Sequence, residues 1–337
     1  MQSYHIEKYG SVDGLVLRSH DDPTPGPDEV VVRMRANSLN ARDVNVLKGT
    51  YRAHSRPGLI PLSDGAGEIS AVGARVKRVK VGDRVAALFH QRWLGGRLNR
   101  DCMGSDLGDS LDGMLTEQAV LNHEGVVVLP AHLSFEEAAT LPCAGVTAWA
   151  ALTDFTPVMA GDTVLTLGSG GVSVFAVQFA KLMGARVIAT TSSAEKAARL
   201  KALGADEVID YKATPDWDQE VMRLTGGRGA NFVIEVGGPG TLAKSLKSTA
   251  IGGSVVLIGT ISGIGQLLDP TLFRGKAISM RSLSVGSRQT FDAMNRAIAQ
   301  HKLRPVVDRV FPFADAKAAY SHMLAQKHFG KVVIGYA

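Results

Sequence analysis

The sequence predicts an α/β protein in which a mostly β region of about 125 residues precedes a doubly wound parallel sheet. The first observation behind this is early: short β-type runs separated by turn residues. EVVVRMRA (29–36) follows the turn-forming PTPGPD, and GEISAVG (67–73) and DRVAAL (83–88) are bounded by glycine. Residues 90–114 are Gly-rich and lack periodicity, so they read as a long surface lobe. The second observation begins near residue 160. TVLTLG (163–168), ARVIATT (185–191), EVIDY (207–211), NFVIEVG (231–237) and GSVVLIGT (253–260) are apolar, β-branched runs suited to burial on both faces. ISMRSLSVGS (278–287) reads as a sixth strand. The third observation is the helical period between these runs. Val172, Phe175, Ala176, Phe179, Ala180 and Met183 recur on one helical face closed by Gly184, and AEKAARLKALGA ends at Gly204. Strand and helix alternating through short loops make βαβ units.

A chain of 337 residues suits two domains, since single cores stop growing at about 250–300 residues. Hydrophobic residues at 45% and charged residues at 20% give a soluble, globular composition. The opening MQSYHIEKYG has no apolar signal-peptide core, and the apolar stretch 164–180 is interrupted by polar residues, so no membrane association is expected. Cys102 and Cys143 are too few for a disulfide framework or a four-thiolate zinc site, which points to a cytoplasmic setting. The net charge of +5 is scattered apart from RVKRVK (75–80); an anionic cofactor accounts for it more simply than nucleic acid.

LGSGGVS (167–173) lies where the first parallel strand meets the first helix. Gly168 permits a tight turn, and Gly170 and Gly171 let backbone approach a pyrophosphate at the helix N-terminus. Ser173 stands where the dinucleotide fingerprint has its third glycine. An NAD site places a carboxylate at the end of the second strand for the ribose 2′-hydroxyl. Here that strand ends in Thr190, Thr191, Ser192 and Ser193 with Lys196 close behind, a set that favours a 2′-phosphate and therefore NADP(H). Ser193 also suits the N-cap of the following helix.

These motifs, with DGAGEISAVG, VGDRV, DGMLTEQAV, LPCAGVTAW, ALGADEVIDY and the closing HFGKVVI, resemble the medium-chain dehydrogenase/reductase superfamily over the whole chain. Within it the chain is similar to quinone-oxidoreductase-like and alcohol-dehydrogenase-like members. The resemblance implies a GroES-like catalytic domain over 1–125, completed by 301–337, and a Rossmann domain over 126–300. It implies Thr147 near the nicotinamide, and Gly171 and Val172 at the pyrophosphate. Ser192, Ser193, Lys196 and Tyr211 would surround the adenosine phosphate. Val236, Gly237, Gly259, Thr260 and Ile261 would follow the cofactor, and Ser284, Val285 and Lys331 would close over it. A homodimer through the sixth strand is implied as well.

Zinc-bearing relatives carry Cys, then Gly-His-Glu, where this chain has Asn40 and Leu62-Ser63-Asp64. Amide and hydroxyl are poor zinc ligands beside thiolate and imidazole, and the nine histidines are scattered, so no metal is expected. Without a Lewis acid the favoured acceptors are those that delocalise the incoming charge, such as quinones, enones and other activated carbonyls. Asn40 and Tyr51 are candidate hydrogen-bond or proton donors; Asp43 and Asp64 are candidate pocket acids, with Asp64 equally suited to holding its Gly-rich turn. Two alternatives stand beside this expectation. One is a zinc-free alcohol or aldehyde dehydrogenase of broad specificity. The other is an NADPH-binding protein with a mainly RNA-binding or structural role.

Overall fold

Hydrogen-bond register, more than local propensity, assembles the sheets of this chain. A computed structural model of the protein describes residues 1–51, 56–260, 263, 265 and 269–337. The chain divides into two units, Met1–Val146 with Gly286–Ala337, and Thr147–Val285.

The first unit opens with the hairpin β1 (Gln2–Ile6) and β2 (Leu15–Ser19), then β3 (Glu29–Leu39) and α1 (Ala41–Lys48). β4 (Asp64–Val72), β5 (Arg84–Ala87), α2 (Arg100–Met103), β6 (Gln118–Asn122), β7 (Val126–Val128) and α3 (Phe135–Ala138) follow, and α4 (Val146–Thr153) leads into the second unit. Val30, Ile69, Val85 and Val126 are fully buried together in one apolar cluster.

The second unit contains β8 (Thr163–Thr166), α5 (Gly171–Leu182), β9 (Arg186–Thr191), α6 (Ala194–Ala202), β10 (Glu207–Asp210) and α7 (Trp217–Leu224). It continues with β11 (Ala230–Glu235), α8 (Pro239–Ser248), β12 (Thr249–Leu257) and β13 (Ser279–Ser282). All six strands pair in parallel in the order β10-β9-β8-β11-β12-β13. That is the dinucleotide-binding order, with its reversal between β8 and β11, where ligands meet the carboxyl ends of the strands. Leu165, Ile188, Val233 and Val255 are fully buried at its centre. On α5 the expected face is buried at Phe175, Ala176, Phe179 and Ala180, while Val172 and Met183 at its ends are half-buried. The sixth strand is shorter than 278–287, is exposed throughout, and forms the sheet edge.

The chain then returns to the first unit through α9 (Arg288–His301), β14 (Val307–Pro312), α10 (Ala316–Leu324) and β15 (Lys331–Gly335). β15 lies between β14 and β3, in the order β14-β15-β3-β4-β5-β7 with β6 also paired to β3. Among the described residues no helix is long and apolar enough to cross a membrane.

Three expectations change. The divisions fall at 146/147 and 285/286 rather than at 125/126 and 300/301. The reason is that β7 pairs with β5, and α9 is tied to it when Asn295 Nδ2 donates to Val128 O at 3.1 Å. Residues 90–114 are a surface lobe only in part: 94–97 and 99–101 are exposed, whereas His90, Ser105 and Asp106 are fully buried, and Trp93, Leu107 and Met114 nearly so. Their burial is sustained by polar contacts, such as the Trp93 indole N–H to Gly96 O at 3.0 Å, which leave no hydrophobic period to read. The mostly β region also holds α1, whose entry is set by the Asn40 backbone N–H donating to Asp43 Oδ2 at 2.8 Å and whose end is Gly49 at φ 72°.

Candidate functional site

In the second unit the candidate cofactor residues gather at the carboxyl ends of the parallel strands. Gly168 follows β8 at φ 72°, a left-handed conformation that glycine adopts without strain. A Cβ at Gly168 or Gly170 would meet nothing within 4 Å, so the turn has open space above it. α5 starts at Gly171 with no side-chain cap, leaving its first-turn N–H groups and positive dipole end to a ligand. Ser173, in place of the third glycine, turns its hydroxyl inward to Leu167 O at 2.6 Å and ties the helix to β8. The substitution keeps the packing that glycine would serve.

At the end of β9, Thr190 Oγ1 accepts from Gly168 N at 3.2 Å, which links this strand to the phosphate turn. Thr191 Oγ1 is buried with no hydrogen-bond partner among the described residues, a hydroxyl of the kind a ligand satisfies. Ser193 Oγ accepts from Lys196 N at 3.3 Å and so caps α6, while Ser192 and Lys196 are half-buried beside it. Tyr211 follows β10 with 40% exposure, and its N–H donates to Thr191 O at 2.9 Å. These side chains, with the open turn at Gly168 and Gly170, fit a nicotinamide dinucleotide.

The turn after β11 is organised by a residue that sequence reasoning missed. Glu235 is fully buried; its Oε1 accepts from Gly237 N (2.7 Å), Gly238 N (2.9 Å) and Thr241 Oγ1 (2.7 Å), and its Oε2 from Ser245 Oγ (2.5 Å). One carboxylate therefore shapes the turn through Val236 and Gly237 and anchors the start of α8. That turn lies against Gly259 and Thr260: a Cβ on Gly238 would come within 2.8 Å of Thr260 Cα. Ile261 lies outside the described residues. Thr147 is buried on α4 and Ser284 is half-buried. Val285 holds φ 59°, a conformation that costs a β-branched residue energy and tends to occur at functional positions.

In the first unit a polar cluster forms where β3, β4 and β15 run side by side. Register does this: Ser38 of β3 faces Asp64 of β4, and Leu39 faces Val332 of β15. Asp64 is fully buried; its Oδ2 accepts from Asn40 Nδ2 (2.8 Å) and from Lys331 Nζ (3.3 Å), and its Oδ1 from Ser63 Oγ (3.1 Å). Ser38 Oγ lies 2.8 Å from Asp64 Oδ2 and 2.9 Å from Ala139 O, one proton shared between two acceptors. Lys331 Nζ also donates to Leu39 O (2.7 Å) and Asn40 Oδ1 (2.5 Å). The resemblance implied Lys331 at the cofactor; here its three ammonium protons all point to acceptors of the first unit.

A second buried charge group adjoins it. The Arg42 guanidinium donates to Asp43 Oδ1 (3.1 Å), Asp106 Oδ2 (3.2 Å) and Leu107 O (2.9 Å), and lies over the rings of Tyr51 and Phe89. Burial pushes the Asp43 carboxyl above the usual range, against the pull of Arg42. The Arg42 guanidinium, penalised by burial, is nevertheless held further up by Asp43 and its other neighbours. Cys143 sits in a π-turn, Leu141–Gly145, and its thiol is pushed well up by burial and then by Asp64. That direction disfavours the thiolate that a nucleophile or ligand would need. Of the four candidate catalytic residues, Asn40 and Asp64 share a hydrogen bond, Asp43 caps the helix that Asn40 begins, and Tyr51 joins through the Arg42 stack.

Zinc fits this donor set poorly. The positions at issue carry an amide, a hydroxyl and one carboxylate, and the carboxylate is already paired with an ammonium that also holds the amide oxygen.

Residues 26–131 match the family described as alcohol dehydrogenase GroES-like domain, and residues 171–300 match that described as zinc-binding dehydrogenase. The chain is 42% identical to the zinc-type alcohol dehydrogenase-like protein of Schizosaccharomyces pombe over 91% of both chains. It is 33% identical to the quinone oxidoreductase of Pseudomonas aeruginosa over 97% of both. A solved NAD-dependent alcohol dehydrogenase superposes with a TM-score of 0.90 at 36% identity, covering 100% of each chain.

Proposed function

We propose a reaction for this chain from one premise: it belongs to the zinc-binding dehydrogenase family of the medium-chain dehydrogenase/reductase superfamily, and is an oxidoreductase. The side chains support best a metal-free reduction of quinones, enones or other activated carbonyls by NADPH. The observation that carries this reading is the donor set around Asn40, where an ammonium and a carboxylate hold an amide at the position zinc-bearing relatives give to a cysteine. When bound, NADPH supplies a hydride. An acceptor that delocalises the resulting charge onto oxygen then needs only hydrogen-bond donors. Asn40 has an amide N–H for that oxygen, and the Tyr51 phenol, stacked under Arg42, is a second donor. Asp43 and Asp64 hold these donors in place. The backbone around Gly168, Gly170, Gly171 and Val172 takes the pyrophosphate, and Ser192, Ser193, Lys196 and Tyr211 take the adenosine phosphate. The names of the relatives support one further reading, a zinc-free alcohol or aldehyde dehydrogenase working in the oxidising direction.

The deciding experiment is steady-state turnover of quinones, enones and alcohols with both nucleotides, on protein freed of metal. Quinone or enone reduction with a preference for NADPH is the expected result; alcohol-driven NADP⁺ reduction without quinone turnover selects the dehydrogenase. Lys196→Ala is expected to weaken NADPH roughly ten- to hundredfold while NADH changes little, as loss of a charge-assisted bond to the 2′-phosphate implies. Equal losses for both nucleotides would reject the cofactor assignment. RNA affinity without any turnover would select the non-enzymatic alternative.

The exposed edge strand β13 suits pairing with a second copy about a two-fold axis, and we expect a homodimer. Light scattering should give twice the 35.7 kDa chain mass; a monomer at micromolar concentration removes the proposal.

A further inference from the structure

Lys331 is 2% exposed and Asp64 fully buried, so within their cluster Asn40, 8% exposed, is the member placed to meet a ligand. The amide of Asn40 is held at both ends. Lys331 Nζ, 2.5 Å away, can only donate, so the atom facing it is the oxygen Oδ1. Asp64 Oδ2, 2.8 Å away, only accepts as a carboxylate, so the atom facing it is the nitrogen Nδ2. A flipped amide would set NH₂ against an ammonium and an oxygen against a carboxylate. The chemistry of the two neighbours therefore fixes an orientation that ordinary electron density leaves open.

One amide proton goes to Asp64, and the second has no acceptor among the described residues. The sheet supplies both clamps: β15 pairs antiparallel with β3 at Val332 and Leu39, which brings Lys331 beside residue 40, and β4 pairs with β3 at Asp64 and Ser38. The ammonium on Oδ1 also draws charge through the amide and makes the remaining N–H a stronger donor.

We propose that Lys331 is a positioning residue: with Asp64 it locks the Asn40 amide so that one N–H is presented to the acceptor oxygen, and its ammonium is the fixed cation of a site without zinc. This rests on the reading that Asn40 meets the acceptor. It differs from a cofactor-closing role for Lys331, because all three of its protons are committed within the first unit.

The test is a mutant cycle. Lys331→Met is expected to lower kcat for quinone or enone reduction roughly ten- to hundredfold. Its Kd for NADPH, by fluorescence titration, should shift by less than about twofold. Lys331→Arg, which keeps a cation, should recover part of the rate. In an Asn40→Ala background Lys331→Met should have no further effect on kcat, the non-additivity expected when one residue acts through the other. Because Lys331→Met strands a buried carboxylate, Lys331→Met/Asp64→Asn serves as the charge-balanced companion; it should match wild-type melting yet stay slow. Equal losses of kcat with and without Asn40, or weakened NADPH with kcat intact, would overturn the proposal. A readout independent of turnover is the Asn40 side-chain ¹⁵N–¹H pair, assigned by its loss in Asn40→Ala. Slow solvent exchange of the proton bonded to Asp64 that becomes fast in the charge-balanced companion supports the clamp, and unchanged exchange overturns it. If wild-type protein reduces none of the acceptors, the functional reading fails while the amide signals still decide the clamp.

Discussion

Replacing Arg42 by methionine should remove about 3–5 kcal/mol of unfolding free energy at neutral pH, the usual cost of deleting one partner of a buried ion pair. The size comes from what would remain. Asp43 and Asp106 are both fully buried, and Arg42 bridges them at 3.1 and 3.2 Å, with a third bond to Leu107 O. Methionine fills much of the volume between the Tyr51 and Phe89 rings, so the loss is electrostatic rather than a cavity. The pH dependence has a definite sign. Burial already raises the Asp43 carboxyl, and without Arg42 its main opposing charge is gone. A carboxyl raised on folding stabilises below its unfolded pKa of about 3.9, and that contribution is lost as pH rises through the folded value. The deficit of the variant should therefore be largest near pH 7 and shrink toward pH 5. Urea unfolding at the two pH values measures it; a loss under about 1 kcal/mol at pH 7 would show that the pair is not desolvated as drawn.

Glu235 gives a sharper contrast between two substitutions. Glu235→Ala leaves two backbone N–H groups and two hydroxyls without their common acceptor. The hydroxyls of Thr241 and Ser245 can rotate to other partners, as Thr241 Oγ1 already does to Gly238 O at 3.2 Å. The N–H groups of Gly237 and Gly238 cannot, and at about 1–3 kcal/mol for each stranded group the loss is about 2–6 kcal/mol. Glu235→Gln keeps an oxygen for the three donors at Oε1 and offers its NH₂ to Ser245 Oγ, which can accept. Its cost should stay under about 1.5 kcal/mol. Denaturant unfolding of both variants, with NADPH titration alongside, checks the pair. The alanine variant should also bind NADPH more weakly, since the turn that follows β11 loses its anchor. A glutamine variant as unstable as the alanine one would mean that the carboxylate's charge, not its acceptor geometry, holds the turn.

The parallel sheet was legible because its central strands, β8, β9 and β11, are buried on both faces and the helices between them carry a clear period. The turn at Gly168 was legible because a positive φ there demands glycine. What escaped has a common physical origin. α1 is short and buries Arg42 and Asp43, so its polar residues hide a helix that a hydrophobic count cannot find. The buried part of 90–114 is held by hydrogen bonds and ion pairs, such as Asp106 to Arg42, which leave no periodic trace. Glu235 reads as an ordinary polar end to an apolar strand until its four donors are seen to converge. Lys331 meets Asn40 across 291 residues of sequence, and only strand register makes them neighbours. Asn40 and Asp64 were singled out by their types at two positions, but the bond between them belongs to β3 and β4 pairing.

The place of β15 bears on how the chain matures as it leaves the ribosome. Leu39 is synthesised 292 residues before Lys331, whose strand must slip in between β14 and β3. Residues 147–285 emerge as one uninterrupted stretch holding every strand of their own sheet, so that unit can ripen first although its synthesis begins second. Until the last strand arrives, residues 36–39 of β3 lack their partner strand, and an unpaired strand edge is the kind of surface that aggregates or recruits a chaperone. The interval of greatest vulnerability for this protein is therefore late translation, and slow decoding there prolongs it.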